Sequence, residues 1–535
     1  MTVERDTAPA SVREAVIELL RGLKMTTVFG NPGSTELPFL DRWPEDFRYV
    51  LGLQEASVVG MADGYARATG RAAFCNLHSA AGVGHGLGNI YNAYRNQTPL
   101  VISAGQQSRS LLPMNPFLGA SEAASFPKPY VKWSCEPARA EDVPAAIAHA
   151  YHVATQRPYG PTFVSIPFDD WRARTRRVPV RTVSSDVAPD PDALDVLAQA
   201  LNEAQRPVIV AGAEIDQDKA GDAMVALAER IGAPVWAAPF ASRVVFPEEH
   251  ELFAGFLTAA PEAVSRALDG HDVVLVVGAP VFTFHVPGEC ALFTSGARIF
   301  QVSADGDALA AAPAGTGILG SLRQALPALT ERVETREQRS PVRMRERPPA
   351  PKPDHPIKAE YLLHTLSRLM PREAIVVEEA PVHRPAIQAH LPIRSYGAFH
   401  TMASGGLGYS LPASVGIALA EPSRRVVCII GDGSMMYSLQ ALWTAVQHRL
   451  KLTVIVLNNA GYGALRSFGQ VLQVRDAPGF DLPGLDFVAL AKGMGCDARQ
   501  VTQPEDIADA LTGAWECTTP FLIDVCVESA VPNLY

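Results

Sequence analysis

Two short polar motifs in the C-terminal third of the chain contain residue types that bind metal ions and anions. A Gly-Asp-Gly-Ser motif at 431–434 directly follows the strand predicted over 426–430, and Asn459 lies just beyond the strand predicted over 452–457. Neighbouring parallel strands end at the same edge of a sheet, so Asp432 and Asn459 are expected to converge. Carboxylate and amide oxygens are ligands that suit Mg²⁺. The two motifs therefore predict a magnesium site at the carboxyl edge of a parallel sheet.

The same loops favour an anion beside the metal ion. Gly433 and Ser434 stand where backbone N–H groups at a helix N-terminus would face an anion, and the glycines let the backbone approach it closely. A lone Gly-Asp-Gly or a lone Asn-Asn is usually only a turn. Here 24 residues (434–457) separate the motifs, with a single helix predicted between the two strands, and this combination predicts a Mg²⁺-diphosphate site. The glycine-rich run at 82–86 is a weaker signal, because it lacks the complete dinucleotide-binding pattern.

Parallel sheets are needed to position these loops, and the apolar pattern predicts them. Short β-branched runs alternate with helical periods along the chain, and further strands are predicted at 26–29, 208–211, 235–237, 273–277, 299–302 and 375–377. Near-continuous apolar strands separated by helices indicate sheets that are covered on both faces. Ser11 and Glu14 form a capping-box pattern that predicts the first helix. The fold class is therefore predicted as α/β, with doubly wound parallel-sheet domains.

Two linker-like stretches divide the chain into three segments. Residues 172–191 and 331–356 combine proline, charge and small polar residues without an apolar period, as inter-domain connections do. We interpret their arginine clusters as solvated linker charge. Three domains are expected, over residues 1–175, 190–332 and 357–535.

Length, charge and cysteine content exclude several classes of protein. A chain of 535 residues is long enough for three or four domains. A net charge of −10 without a basic stripe argues against nucleic acid as a partner. Seven cysteines without C-x-x-C spacing fit a reducing compartment better than a disulfide framework or a zinc site. Neither a secretion signal nor an apolar run long enough to span a membrane is present, so a cytoplasmic protein is expected.

Several stretches of the sequence resemble one enzyme superfamily. They include FGNPGSTELPFL (29–40), NLHSAAG (76–82), GGLGYSLPA (405–413), IGDGSMMYSLQALWTA (430–445) and NNAGYGALRSF (458–468). In these motifs the chain resembles the thiamine diphosphate-dependent decarboxylases over essentially its whole length, and among them the benzoylformate decarboxylases. The resemblance implies a pyrimidine-binding first domain, a central domain without catalytic cofactor and a diphosphate-binding third domain. It also implies a homotetramer, built as a dimer of dimers, with each cofactor between two subunits.

The resemblance implies roles for residues around thiamine diphosphate and Mg²⁺, for which Ca²⁺ could substitute. Glu55, at the start of a helix predicted to run to about residue 68, would activate the aminopyrimidine of a cofactor held by the partner's third domain. The alternative for Glu55 is a purely stabilising charge at the helix N-terminus. Asp432, Asn459 and the carbonyl of Gly461 would bind the metal ion. The other cofactor-binding residues would be Gly405, through its carbonyl, Leu407, as an apolar prop under the cofactor, and Gly433, Ser434 and Tyr462.

On the substrate side the resemblance implies three polar residues. Ser34, His78 and His285 would hold the substrate carboxylate and transfer protons, a task for which imidazole titrates in the right range. Each has a plainer alternative, because Ser34 could be a helix N-cap and a histidine in a loop is often only a local hydrogen-bonding residue. The residues expected to surround the substrate are Phe117, Leu118, Thr401, Leu465 and Phe468.

A few positions depart from the pattern of the family. Where relatives carry Asn-Glu-Ser-Thr-Ser, this chain has Glu-Glu-Ala-Pro-Val at 378–382. Thr401 and Ser467 stand where relatives have aromatic residues. The smaller side chains would leave volume for a substituted aryl group.

Together these features imply non-oxidative decarboxylation of an aryl 2-oxo acid, such as benzoylformate, to CO₂ and an aldehyde, with carboligation as a side activity. Two alternatives stay open. One is an acetolactate-synthase-like or acyl-CoA lyase or ligase reaction on the same cofactor, which a nucleotide in the central domain would favour, although no convincing phosphate loop is present there. The other is a silent cofactor-binding scaffold, which would be expected to lack Glu55 or the histidines.

Overall fold

Apolar, mostly β-branched runs form the centre of three parallel sheets in the computed structural model. Residues 9–336, 345, 348–474, 477–530, 532 and 534 are described. Within this part of the chain each of these sheets has six strands, and the central strands are buried along all or nearly all of their length, as they are when helices cover both faces. The predicted fold class, three α/β domains with parallel sheets, is confirmed. In the same part of the chain, no helix has the length and apolar character needed to cross a membrane.

The first domain contains a main sheet and a short ribbon near its ends. Its strands are β1 (Ala10–Ser11), β2 (Thr27–Gly30), β3 (Arg48–Leu51), β4 (Ala73–Leu77), β5 (Leu100–Gln106), β6 (Trp133–Cys135), β7 (Thr162–Pro167) and β8 (Arg174–Thr175). Its helices are α1 (Val12–Gly22), α2 (Leu37–Leu40), α3 (Glu55–Thr69), α4 (Ser79–Arg95) and α5 (Val143–Ala154), with 3₁₀ turns at Ser34–Glu36, Leu112–Met114, Ala123–Ser125, Ala140–Asp142 and Asp170–Arg172. The sheet has the order β3-β2-β4-β5-β7-β6, and β1 pairs antiparallel with β8. Ser11 caps α1 in the predicted capping box with Glu14.

The central domain has a different strand order. Its strands are β9 (Pro207–Ala211), β10 (Val235–Ala237), β11 (Phe253–Phe256), β12 (Val273–Val277), β13 (Arg298–Ser303) and β14 (Thr316–Leu319). Its helices are α6 (Pro191–Glu203), α7 (Glu214–Gln217), α8 (Gly221–Ile231), α9 (Pro261–Ala267), α10 (Gly306–Ala310) and α11 (Leu322–Arg332), with a 3₁₀ turn at Ala291–Thr294. The order β11-β10-β9-β12-β13-β14 is that of the doubly wound dinucleotide-binding fold.

The third domain repeats the strand order of the first. Its strands are β15 (Ile375–Glu379), β16 (Phe399–Thr401), β17 (Val426–Gly431), β18 (Leu452–Asn458), β19 (Asp497–Val501) and β20 (Phe521–Cys526), in the order β16-β15-β17-β18-β20-β19. Its helices are α12 (Ala359–Leu369), α13 (Arg384–His390), α14 (Ser410–Ala420), α15 (Asp432–Met435), α16 (Ala441–Gln447), α17 (Gly463–Val471), α18 (Phe487–Gly493) and α19 (Ile507–Glu516), with 3₁₀ turns at Pro381–His383 and Pro504–Asp506.

The connection between β17 and β18 differs from the sequence prediction. The two strands are parallel neighbours, as expected, but two helices, α15 and α16, stand where one was predicted, separated by turns at 436–440. Thr444 on α16 donates a hydrogen bond of 2.8 Å to the carbonyl of Leu51 in the first domain. This contact joins residues far apart in the sequence, so helical periodicity contains no information about it.

Helices α3 and α14 join the first and third domains through backbone that approaches closely. A side chain at Gly64 would overlap the backbone of Ala413, and one at Gly416 would overlap the backbone of Met61. Apolar side chains of both domains therefore belong to one continuous core around this contact. Since α3 begins at Glu55, the contact also fixes the position of that carboxylate relative to the third domain.

Candidate cofactor and substrate site

Asp432 is the centre of a buried cluster at the carboxyl end of the third sheet. The residue is only 3% exposed. Its Oδ1 accepts a hydrogen bond from the N–H of Gly433 at 2.7 Å, and its Oδ2 accepts from the N–H of Gly461 at 2.9 Å. The loops after β17 and β18 therefore meet at this carboxylate, as the motif spacing indicates. Burial raises the pKa of Asp432 in spite of these bonds, so a nearby cation would favour its ionised form.

The side chain of Asn459 fits a cation at the same place. It is buried, and its Nδ2 has no hydrogen-bond partner among the described residues. A half-turn of the amide would put its oxygen in that position instead. Carboxylate, amide and backbone carbonyl oxygens together suit Mg²⁺ or Ca²⁺. Across the described residues no group of three or more His, Cys, Asp and Glu side chains could hold a metal ion, but the predicted ligand set contains only one such residue, Asp432.

The other predicted cofactor residues lie in the loops and helix starts of the third domain. A side chain at Gly433 would overlap the ring of Tyr462, so the ring can lie against the backbone only because residue 433 is glycine. The N–H of Gly433, which the sequence assigned to the anion, already donates to Asp432, while Ser434 is buried in α15. In the loop before α14, Gly405 has a φ of +75° and is exposed, and Leu407 packs partly buried against the core.

Glu55 is buried at the first position of α3, facing residues of its own domain. Its Oε1 accepts a hydrogen bond of 3.3 Å from Nδ2 of Asn31, and its Oε2 lies 3.2 Å from Nδ1 of His85. A side chain at Gly82 would come within 3.2 Å of Oε1, so the glycine keeps space open beside the carboxylate. This position is suited to a hydrogen bond with a ligand, because the helix N-terminus favours the negative charge.

His78 is oriented by a buried carboxylate that sequence reasoning did not select. Its Nδ1 lies 2.8 Å from Oε2 of Glu36 and 3.0 Å from Oγ1 of Thr35. Glu36 also accepts N–H groups from Gly33 at 2.8 Å and from Gly105 at 2.9 Å, so its position is fixed by the backbone. With Nδ1 engaged, Nε2 is the nitrogen of His78 left to face a substrate.

Ser34 lies in the same part of the first domain, exposed at the start of the 3₁₀ turn Ser34–Glu36. The sequence contained one signal for Glu36, its position three residues after Gly33. A glutamate at this spacing can accept a hydrogen bond from the backbone N–H at the start of a helix. Asn31 and His85 carried no comparable signal, because their relation to Glu55 exists only in the folded chain.

His285 packs against Phe468, although one belongs to the central domain and the other to the third. The ring centroids are 4.5 Å apart with a 62° interplanar angle, and Phe240 lies on another side at 5.8 Å. The backbone N–H of His285 donates to the carbonyl of Ala259 at 2.9 Å. Partial burial lowers the pKa of His285, which favours a neutral imidazole. The structure thus brings together two residues that were assigned to one pocket.

The remaining pocket residues are spread over two surfaces. Phe117 is 87% exposed, and its neighbour Leu118 is tied to the start of α4, because the hydroxyl of Ser79 donates 2.6 Å to the Leu118 carbonyl. Leu465 is exposed on α17, in the third domain. Thr401 is fully buried in β16, so its place in the substrate pocket stays a prediction.

The departure at 378–382 forms a buried polar cluster instead of a hydroxyl-rich loop. Glu379 accepts three backbone N–H groups at the start of α14, from residues 408, 409 and 410, at 2.6, 2.8 and 2.6 Å. Burial raises the pKa of Glu379 to about 7. Glu378 pairs with Arg384, and the hydroxyl of Thr401 donates to the Glu378 carbonyl at 2.8 Å. The cluster anchors the segment that leads to Gly405.

Comparisons with known proteins identify the family of this fold and site. Models of the thiamine pyrophosphate enzymes match residues 10–125 as the N-terminal TPP binding domain, residues 194–329 as the central domain, and residues 383–525 as the C-terminal TPP binding domain. Benzoylformate decarboxylase of Pseudomonas aeruginosa is 44% identical over 98% of this chain and 100% of the relative. The chain belongs to the thiamine pyrophosphate enzyme family. The sequence prediction of this family, with thiamine diphosphate as its cofactor, is therefore confirmed.

Solved structures of this family have the same fold. The benzoylformate decarboxylase of Polynucleobacter necessarius superposes with a TM-score of 0.93 at 40% identity, covering 98% of this chain and 99% of that one. A thiamine diphosphate-dependent 4-hydroxybenzoylformate decarboxylase of Rhodococcus jostii superposes with a TM-score of 0.94 at 42% identity, over 97% and 100% of the chains. An acetolactate synthase large subunit of Parasynechococcus marenigrum is 29% identical, over 96% of this chain and 87% of the relative.

Proposed function

We propose that this protein is a thiamine diphosphate-dependent decarboxylase of aryl 2-oxo acids, converting benzoylformate or a ring-substituted analogue to the aldehyde and CO₂. The observation that carries the proposal is the buried cluster of Asp432, Asn459 and Gly461, in a chain 44% identical to a benzoylformate decarboxylase. The two solved relatives are named for benzoylformate and for its 4-hydroxy derivative, which supports an aryl substrate. Carboligation is proposed as a side activity.

The cofactor, once bound, supplies the carbon nucleophile and the electron sink for loss of CO₂. Asp432, Asn459 and the carbonyl of Gly461 would hold Mg²⁺, or Ca²⁺ in its place, against the diphosphate. Glu55 would accept a hydrogen bond from the pyrimidine ring, and its burial strengthens that bond. Gly405, with a backbone conformation that favours glycine, would present its carbonyl to the amino group.

On the substrate side, the chain has donors and bases on two domains. Ser34 and His78 would hold the substrate carboxylate and ketone oxygen, with His78 oriented by Glu36. His285, whose neutral form is favoured by partial burial, would accept or return a proton near the reacting carbon. Phe468 and Leu465, from the third domain, would meet Phe117 and Leu118 around the aryl ring.

We further propose that each active site lies between two subunits of a cytoplasmic homotetramer, a dimer of dimers. Glu55 and His78 have their hydrogen-bond partners in the first domain. Asp432, by contrast, is bonded within the third domain, and His285 of the central domain packs against Phe468 of the third. Both groups border exposed apolar side chains, including Phe117 on one and Leu465 on the other. A second copy that covers these side chains would bring the two groups together.

The test is CO₂ release from benzoylformate, 4-hydroxybenzoylformate, pyruvate, phenylpyruvate and a branched 2-oxo acid, each with and without thiamine diphosphate and Mg²⁺. We expect aryl-glyoxylates to give the highest kcat/KM, and the activity to require both additions. Acetolactate formation from pyruvate without aldehyde release from the aryl acids would instead favour an acetolactate-synthase-like ligase. Absence of CO₂ release from every substrate would contradict the decarboxylase proposal.

A further inference from the structure

Three asparagines of the first domain lie along one face of α4. Asn89 and Asn92 are within the helix and Asn96 is at its end, and residues spaced by three and four positions share a helix face. All three side chains are buried. The backbone that they contact belongs to the third domain, in the loop at 402–409 before α14, which contains Gly405. These asparagines therefore connect the first domain to a loop of the proposed cofactor site.

Two of the side-chain amides donate to backbone carbonyls of this loop. Nδ2 of Asn92 donates to the carbonyl of Gly406 at 3.1 Å and to Oδ1 of Asn89 at 2.6 Å. Nδ2 of Asn89 donates to the carbonyl of Gly408 at 3.1 Å. A carbonyl oxygen can pair only with the N–H₂ end of an amide, so these bonds fix the orientation of both side chains. Two carbonyls of the loop are thus held by the first domain.

The side-chain oxygens on the same face of α4 accept hydrogen bonds from the loop. Oδ1 of Asn92 accepts from the hydroxyl of Ser404, whose oxygen in turn accepts from the N–H of Gly406 at 3.0 Å. Oδ1 of Asn96 accepts from the N–H of Ala403 at 2.9 Å. The loop is therefore bonded to α4 both before and after Gly405.

Close packing and a second set of bonds restrict the loop further. A side chain at Gly406 would come within 2.7 Å of Oδ1 of Asn92, so the glycine leaves the space that this amide occupies. Glu379 accepts the N–H groups of residues 408–410. Gly405, with a φ of +75°, is the exposed residue of the loop. With its neighbours bonded through carbonyls and N–H groups, the peptide at Gly405 has little freedom to rotate.

Asn89 also binds the start of α3. Its Nδ2 donates to the carbonyl of Ala56 at 2.7 Å, and Ala56 directly follows Glu55. One amide group therefore contacts both the helix that carries Glu55 and the loop that carries Gly405. Its position contributes to the placement of both residues.

We propose that Asn89 and Asn92 are positioning residues for the cofactor, which hold the loop so that the carbonyl of Gly405 faces the aminopyrimidine. The inference rests on the cofactor site proposed above. Both asparagines act through the loop rather than by contact with the cofactor. The diphosphate is assigned to a separate cluster around Asp432, so loss of an asparagine should weaken binding of the pyrimidine end alone.

The test compares two ligands of the full chain after its cofactor has been removed, at saturating Mg²⁺. Thiamine diphosphate contains the pyrimidine, whereas inorganic diphosphate lacks it, and calorimetry gives the Kd of each. The variant is Asn92→Ala. Gln301→Ala is the matched control, because buried Gln301 of the central domain also donates its amide to a backbone carbonyl, that of Ala279 at 2.9 Å.

We expect Asn92→Ala to bind thiamine diphosphate about tenfold more weakly than the wild type, and inorganic diphosphate within about twofold of it. Gln301→Ala should bind both ligands as the wild type does. An unchanged Kd for thiamine diphosphate in Asn92→Ala, or an equal loss for both ligands, would overturn the inference and leave the proposed function intact. A wild type that does not bind thiamine diphosphate would overturn both.

Gly406→Ala tests the contact from the side of the loop. Its methyl group would displace the Asn92 amide, so we expect about tenfold weaker binding of thiamine diphosphate, and the double variant Asn92→Ala/Gly406→Ala should be no weaker than the weaker single variant. Losses that multiply in the double variant would contradict the inference.

This comparison uses thiamine diphosphate alone, so it decides the matter should inorganic diphosphate bind too weakly to measure. Ser404→Ala removes the hydroxyl bonded to Asn92 at a partly exposed position, and it replaces Asn92→Ala in both comparisons should that variant fail to fold.

Discussion

Asp432 shows how much one buried carboxylate depends on its neighbours. Two backbone N–H groups hold it, and the amide of Asn459 next to it keeps a buried nitrogen without a partner in the described residues. The pair would suit a proposed cation once a half-turn of the Asn459 amide puts its oxygen in that position. Asp432 could be selected from the sequence because Gly-Asp-Gly and Asn-Asn follow two neighbouring parallel strands, whereas a lone Gly-Asp-Gly is usually only a turn.

Replacing Asp432 by asparagine should lower metal affinity and, through it, cofactor retention. The variant keeps the shape of the side chain but loses the negative charge, so we expect Mg²⁺ to bind about 10–100-fold more weakly. The measurement is cofactor retention on gel filtration at graded Mg²⁺ concentrations. Asp481→Asn is the control and should retain the cofactor as the wild type does. An Asp432→Asn protein with normal metal affinity would disprove the assigned site.

The imidazole of His383, in the 3₁₀ turn after β15, should make stability depend on pH. Burial lowers its pKa to about 4 from the usual 6.5, so the folded protein favours the neutral ring. The stability that this neutral ring provides is present above about pH 6.5 and is lost as the pH falls towards 4. We expect His383→Gln to lose less stability than the wild type between pH 7 and pH 4.5.

Urea unfolding at the two pH values measures this difference, which should amount to about 2–3 kcal/mol. His355→Gln, at an exposed histidine, is the control and should keep the dependence of the wild type. Equal pH dependence in the wild type and His383→Gln would show that another group controls acid stability.

At the scale of elements, the contact between α3 and α14 requires residues without side chains at two positions. Gly64 and Gly416 permit backbone-to-backbone packing that any side chain would prevent. Helix α3 was predicted from the sequence, but its closeness to α14 could not be, because a glycine in a helix does not show which distant backbone will pack against it. The reason for each glycine is therefore the backbone of the helix packed against it.

Gly416→Ala should therefore destabilise the protein although alanine favours helices. The added methyl group would overlap the backbone of Met61, and forced overpacking of this kind costs about 1–3 kcal/mol. Gly88→Ala in α4 is the matched control, because nothing lies within 4 Å of the added carbon and the change should be neutral or stabilising. Thermal unfolding of the two variants checks the prediction, and a Tm for Gly416→Ala at or above that of wild type would contradict it.

At the scale of the whole molecule, the proposed active site needs two chains. Glu55 belongs to one group of functional residues and Asp432 to the other, and the two are expected to meet across a subunit interface. Hybrids of Glu55→Gln and Asp432→Asn, assayed at a Mg²⁺ concentration too low for Asp432→Asn to retain its cofactor, should then regain activity. In a mixed dimer one site carries both changes and the other carries neither, so about half of the sites are restored in purified mixed dimers and about a quarter in a random mixture.

Co-expression with two different affinity tags, followed by purification of the mixed species, allows the kcat per cofactor to be measured. The control is a mixture of Glu55→Gln with the same variant under the second tag, which should stay inactive. Failure of the mixed species to exceed either parent would show that each site is built within one chain.

The sequence by itself determined the parts of the protein that depend on neighbouring residues. Strand and helix patterns gave three parallel-sheet domains, and the spacing of two motifs placed Asp432 beside the loop after β18 because adjacent parallel strands share an edge. Only the tertiary structure shows the Glu36–His78 pair, the close packing of α3 against α14 and the two helices in place of one after β17. These features join residues that are far apart in the chain, and composition and periodicity carry no information about which distant backbones will approach each other.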